Sequence, residues 1–241
     1  MGKKYIILLI QLVIFSTVYS GETVEAGKRE KITYSLDLVS THLWRGSSSG
    51  TAPCIEPAIN YHPTKNLTLT GWAAYSVDES YSELDFIASY QLKKVNISVL
   101  DYYCPKIGVY SGQDLINYKQ RETNHMIDIV VSYKPFDRLP LNFSASSALY
   151  GADLDQHGDQ RYSSYFETKY NFNLHKSSVD VFMGLTNGDS FYDEDFSIIN
   201  LGVSASRTLF SNNNVTIPIK ASIVGNPSKE KIHLSFTISF S

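Results

Sequence analysis

The sequence predicts an all-β protein, a transmembrane antiparallel up-and-down β-barrel of about twelve strands. Three observations predict it. Segment after segment places apolar residues at alternate positions, and successive side chains of a strand point to opposite faces. The connections between these segments fall into a mostly short set and a set containing the long ones, as in outer-membrane barrels. Charged residues are only 19% of the chain while aromatics are 13%, with 17 tyrosines against 2 tryptophans. That balance suits many side chains at a lipid–water boundary.

The alternation is cleanest in the last segment, residues 231–241. Ile232, Leu234, Phe236, Ile238 and Phe240 fall on one side, and Lys231, His233, Ser235, Thr237, Ser239 and Ser241 on the other. A soluble sandwich would bury one such strand. Repetition of the pattern along the whole chain favours the membrane barrel. The segment also stops on an aromatic with one serine after it, which resembles the terminal insertion signal of outer-membrane barrels.

The other end reads as a secretory signal over residues 1–20. Lys3 and Lys4 form a positive start, Tyr5 to Phe15 an apolar run too short for a membrane span, and Val18-Tyr19-Ser20 precedes a cut at Gly21. No cysteine follows the run, so a lipid anchor is not expected. Removing Lys3 and Lys4 takes the formal charge from −3 to −5. Such a charge excludes nucleic acid as an expected partner. No later segment is long and apolar enough for a membrane helix, so a spanning chain must cross with strands. Residues 21–241 are then the barrel, preceded by a polar lead-in over 21–29.

The strands follow in order. The first, 31–45, sets Ile32, Tyr34, Leu36 and Leu38 against Thr33, Ser35, Asp37, Thr41 and Arg45. A Ser/Gly-rich loop over 46–53 has turn chemistry. The second strand, 54–62, alternates Ile55, Pro57, Ile59 and Tyr61 with Glu56, Asn60 and His62, although Pro57 removes one ladder donor. The third and fourth, 67–77 and 83–92, repeat the pattern with Trp72, Glu83 and Asp85 on the polar parity. Lys93-Lys94 turns into the fifth, 95–104, and the longest irregular stretch, 105–121, follows. Strands six to nine run over 122–134, 141–150, 161–172 and 176–186. Acidic loops over 151–160 and 187–194 separate the seventh from the eighth and the ninth from the tenth. The last three strands are 195–207, 215–223 and 231–241.

An even count puts both termini on one side. Placing them in the periplasm makes the connections there mostly short and puts the long ones outside. Tyr34, Tyr61, Tyr90, Tyr133 and Tyr170 then gather on the lipid face near the periplasmic strand ends, where an aromatic girdle belongs.

Between residues 38 and 105 the sequence resembles a family of uncharacterised bacterial outer-membrane proteins, the conserved hypothetical Gly-x-Trp type. The residues that carry the likeness are Val39-Ser40, Trp44-Arg45-Gly46, Pro57, Tyr61, Gly71-Trp72, Glu83-Leu84-Asp85 and Asp101-Tyr102-Tyr103. The resemblance implies a small outer-membrane barrel, a transporter or porin, and implies no particular substrate.

Candidate pore-lining residues, from their parity, are Arg45, Glu56, Trp72, Glu83, Asp85, Asp128, Arg161 and Glu167. Both charge signs are interspersed. Two readings stand: the charges pair and fill the barrel, or they line a water-filled pore and set its selectivity. Arg45, Glu56, Glu83 and Asp85 come to the same external third, either as a locally negative ring or as pairs of Arg45 with these carboxylates. Cys54 and Cys104 both fall at the external rim with inward parity, and a disulfide between them requires an inward-folded rim.

No catalytic motif is present among the six scattered histidines. His125 with Asp128, and His157 with Asp153 and Asp155, read as solvated rim groups. The acidic loops lack the spacing of a calcium-binding loop. No metal or cofactor is expected. The function expected is a passive outer-membrane channel for small solutes, monomeric and embedded in the lipid bilayer. The alternative is a non-conducting barrel whose external loops serve adhesion or another surface interaction, and the third reading is an outer-membrane enzyme.

Overall fold

The computed structural model describes residues 30–105 and 114–241. The signal reading of residues 1–20, the lead-in over 21–29 and residues 106–113 of the longest loop lie outside the described residues. Fourteen strands occur among the described residues, and twelve of them close into one antiparallel barrel.

The barrel strands are β1 (Ile32–Val39), β4 (Cys54–Tyr61), β5 (Leu67–Ser76), β6 (Ser82–Leu92), β7 (Val95–Tyr103) and β8 (His125–Tyr133). They continue through β9 (Leu141–Gly151), β10 (Ser164–Leu174), β11 (Ser177–Thr186), β12 (Ser197–Ser211), β13 (Thr216–Asn226) and β14 (Lys231–Phe240). Each strand pairs with its neighbour in sequence, and β1 pairs with both β4 and β14. Leu36 opposite Phe240 and Val39 opposite Thr237 fix the closing register. Pairing of the first and last strands closes the sheet, the form in which strands can stand in lipid.

Alternation decides which face is which. In β4 the buried residues are Cys54, Glu56, Ala58 and Asn60, and Ile55, Ile59 and Tyr61 are exposed. In β14 Ser235 and Thr237 are buried while Ile232, Leu234, Phe236 and Ile238 stand on the outside. The barrel is therefore apolar outside and largely polar inside, the inverse of a soluble sandwich. Tyr34, Tyr61, Tyr90, Tyr133 and Tyr170 are all exposed on the outer face. They lie toward the rim that holds the termini.

The connections at that rim cover 62–66, 93–94, 134–140, 175–176 and 212–215. Those at the far rim include 104–124, 152–163 and 187–196. Short on one rim and long on the other is the asymmetry read from the sequence.

One element departs from that reading. The first strand does not run on to residue 45. β1 stops at Val39, and the chain then forms a two-stranded hairpin of β2 (His42–Trp44) and β3 (Ser47–Ser49), separate from the barrel sheet. The break is at Ser40 and Thr41. Ser40 N–H still donates to the Phe236 carbonyl at 2.8 Å, and Ser235 Oγ donates to the Thr41 carbonyl at 2.8 Å, so β14 holds the chain at its last in-plane residues. Beyond them a tight turn at Arg45-Gly46, with φ of 46° and 80°, reverses the chain. Two successive positive φ values make the turn whose twist matches a hairpin.

Strand ends elsewhere shift by a few residues. The expected tenth and eleventh strands end at 207 and 223, whereas β12 reaches Ser211 and β13 reaches Asn226. Each continues because its neighbour supplies ladder partners, Thr216 for Ser211 and Lys231 for Asn226.

Candidate functional site

The hairpin leaves the wall between β1 and β4 and is folded into the bore. Trp44 makes ring contacts with Tyr102 on β7, at 5.7 Å, and with Phe191 and Tyr192 in the loop 187–196, at 6.1 and 5.4 Å. Arg45, at the tip, donates from Nη2 to Asp128 Oδ2 on β8 at 2.7 Å and from Nη1 to the Tyr192 hydroxyl. Its guanidinium carbon lies 4.7, 5.0 and 5.6 Å from the ring centres of Trp44, Tyr165 and Tyr192. The side chains of this ion pair are 9% and 0% exposed. A planar guanidinium suits such a cage, because it bonds in its plane and stacks on its faces.

Two irregularities of the wall sit where the hairpin docks. On β9, the ladder skips Leu149 between the partners of Ile127 and Asp128. On β12, Ile199 has no ladder partner between those of Gly184 and Leu185. Ile199 is 1% exposed, and a Cβ built on Gly46 would lie 1.8 Å from its carbonyl oxygen. Bulges re-aim the side chains and carbonyls beside them. Here one bulge adjoins the carboxylate that takes Arg45, and the other faces the backbone of Gly46.

Between the hairpin and the terminal rim lies a cavity of about 270 Å³, whose lining includes Glu56, Glu83, Asp85, Glu167, Lys169 and Lys220. The lining is not polar throughout. Trp72, Ile87, Leu100, Tyr102 and Val130 form an apolar cluster on the β5–β8 wall, with Trp44 packed against it. The parity read as polar thus carries an apolar belt at this wall.

The structure gathers most of the residues expected to line the pore. Glu56, Glu83 and Asp85 are all buried, on β4 and β6. Glu56 Oε1 is 2.9 Å from His42 Nδ1 on the hairpin. Glu83 accepts from the Tyr81 hydroxyl and, at 3.4 Å, from Cys104 Sγ. Trp72 is the direct cross-strand partner of Asp85, and Asp85 in turn of Tyr102. Glu167 Oε2 accepts from the Tyr165 hydroxyl at 2.6 Å and from Asn200 Nδ2 at 3.2 Å.

Three expectations are corrected. Arg45 does not stand at the end of a barrel strand and its ion pair is not with Glu56, Glu83 or Asp85. It reaches past them to Asp128, because the hairpin carries it across the bore. Arg161 lies ahead of β10 and bonds the carbonyls of Leu154 and Ser190, at 3.1 and 2.9 Å, tying two far-rim loops together. His125 and Asp128 are not solvated: both are fully buried, His125 held by Asp101 Oδ1 and the Leu115 carbonyl at 2.7 Å each. Of the other rim group, Asp153 is buried under bonds from Ser163, whereas His157 is in an exposed turn with its N–H on Asp155 Oδ1.

Cys54 and Cys104 are both free, the first buried and the second exposed. Tyr165 and Tyr192 also belong to the site; Tyr165 shares the inward parity of Glu167 and is buried on β10. Tyr192 comes from a loop, where alternation carries no information, and a tyrosine within an acidic loop was its one signal.

No protein-family profile matches the chain, and no curated protein matches it. Solved structures are similar at the level of overall shape. A structure described as KdgM porin superposes with a TM-score of 0.47 at 8% identity, covering 86% of this chain and 96% of that one. An outer membrane channel from Pseudomonas putida F1 gives 0.40 at 13% identity, covering 87% and 92%. A third, from work on the in-meso crystallization of membrane proteins, gives 0.42 at 10% identity, covering 86% and 82%.

Proposed function

We propose that the protein is an outer-membrane channel for the passive passage of small solutes, narrowed from within by its own first far-rim loop. The observation that carries this reading is the closed twelve-stranded barrel, apolar outside, with a bore that keeps a cavity lined by Glu56, Glu83, Asp85, Glu167, Lys169 and Lys220. A barrel of this strand number has an interior wider than side chains alone must fill. Ionisable groups in a low-dielectric tube focus their field on whatever enters it. The rim with the termini faces the periplasm and the long loops face out, as the connection lengths favour. Each barrel closes on itself, so a monomer is sufficient. The resemblance to the Gly-x-Trp family of outer-membrane proteins accords with this reading.

The second reading, a non-conducting barrel that presents its outer loops, is favoured by one observation: the hairpin crosses the bore and is held by a buried ion pair. Planar-bilayer recording on refolded protein separates the two. The channel reading expects discrete conductance steps with a preference for small cations in a salt gradient. Substituting Glu83→Gln and Asp85→Asn together is expected to shift that preference toward anions with the barrel still folded. A folded wild-type barrel that passes no current contradicts the channel and leaves the surface reading.

A further inference from the structure

Among the buried polar atoms left unmatched in the described residues, several belong to the lumen wall, and two of these lie on residues directly opposite each other. Asp85 Oδ1 and Trp72 Nε1 have no hydrogen-bond partner among the described residues. Their residues are 3% and 6% exposed, and both line the cavity beside the hairpin. Trp72 and Asp85 are direct partners across β5 and β6, which sets their Cβ atoms about 5 Å apart. One group lacks a donor and the other lacks an acceptor. Buried polar groups without partners are uncommon in folded proteins and call for an explanation.

The surroundings narrow what would satisfy both. Glu83 and Glu56 line the same cavity, so the wall is acidic and disfavours an anion. The cations of the bore are engaged elsewhere or come from other strands: Arg45 is paired with Asp128, Lys169 lies 3.8 Å from Glu167, and Lys220 is on β13. Tyr102 flanks Asp85 on its other side, and Ile87 and Leu100 belong to the same apolar cluster. A bare or hydrated metal ion fits poorly here, since Trp72 offers a donor and no oxygen ligand, and Tyr102, Ile87 and Leu100 bring aromatic and aliphatic surface beside Asp85. An ammonium group on a short carbon stem fits better. It donates to Asp85, lies against aromatic rings that attract cations, and offers a neighbouring oxygen to Trp72.

We propose that the Trp72–Asp85–Tyr102 row is a binding site for a compact organic cation, a protonated amine that also carries a neutral hydrogen-bond acceptor. The proposal deepens the channel reading and rests on it only in that the solute must reach the lumen.

Trp44 and Trp72 are the two tryptophans of the chain and both line the cavity, so intrinsic fluorescence reports on the site. The full-length barrel in detergent is titrated at constant ionic strength with 3-amino-1-propanol, propylamine and 1-propanol. Wild type is expected to bind the amino alcohol saturably, to bind propylamine more weakly, and to ignore 1-propanol. Asp85→Asn is expected to weaken the amino alcohol by about tenfold or more, the scale of one charge-assisted hydrogen bond. Trp72→Phe, followed through Trp44, is expected to bind the two amines alike. Heat-modifiable migration verifies that each variant is a folded barrel. No saturable response in wild type overturns the site, as does unchanged affinity in Asp85→Asn or a retained preference in Trp72→Phe. Potassium chloride conductance measured on the same preparation keeps the two proposals apart: current without binding removes this site and leaves the channel, and binding without current does the reverse.

Discussion

Arg45 and Gly46 decide where the hairpin sits, and each can be tested alone. Asp128 is fully buried and takes the Arg45 guanidinium at 2.7 Å. Removing one member of a buried ion pair strands the other, at a cost of about 3–5 kcal/mol. Asp128→Asn is therefore expected to release the hairpin instead of leaving a buried, half-matched guanidinium. Gly46→Ala reaches the same end sterically, because its Cβ would fall 1.8 Å from the Ile199 carbonyl at a φ of +80°. Trypsin mapping reads both outcomes. Wild type should resist cleavage after Arg45, and both variants should be cut there while the barrel strands survive. Resistance in both variants would mean that these two residues do not hold the hairpin. The sequence pointed to Arg45 as inward-facing and to Glu56, Glu83 and Asp85 as one group. It did not reveal that Asp128 is the partner, since that contact depends on how far the hairpin reaches.

At the scale of elements, twelve barrel strands were legible because lipid outside and water inside impose a period of two on every one of them. The hairpin was not. Alternation is clean only to Leu38, after which Ser40 and His42 fall on the apolar parity and Val39 and Leu43 on the polar one. That break marks a strand end but not an inward-folded hairpin, and an Arg-Gly pair is a less obvious turn than Asn-Gly. Conversely, the turn between β5 and β6 is well specified locally. Asp78 accepts from the hydroxyls of Ser76, Ser80 and Thr51 at 2.6 Å each and from Ser80 N–H at 3.0 Å. These bonds favour the carboxylate and hold its pKa well below the ordinary value of 3.8. A depressed pKa contributes stability above the unfolded value, and that contribution is lost only as pH falls through the lower folded value. The turn is thus expected to stay ordered through mild acid. Amide exchange at Ser80 and Thr51 should remain slow relative to Asp78→Asn down to about pH 4, near the unperturbed carboxyl pKa. Equal exchange in wild type and variant at neutral pH would count against Asp78 as the organiser of this turn.

For the whole molecule, the closed sheet and its outward apolar face make the barrel, and the inserted hairpin fills part of the bore. The sequence carried the first through its periodicity and its rows of tyrosine. It could not carry the second, because a bore is filled by contacts between residues far apart in the chain, such as Trp44 with Tyr192. The claim that joins the two is that this is a conducting barrel throttled by residues 42–49. Single-channel recording in planar bilayers tests it most directly, comparing wild type with a variant in which residues 41–50 are replaced by a short Gly-Ser link. Small conductance steps in wild type and clearly larger ones in the variant are the expected result, with both proteins showing the heat-modifiable migration of a folded barrel. Two folded barrels that carry no current, or equal current with and without the hairpin, would contradict it.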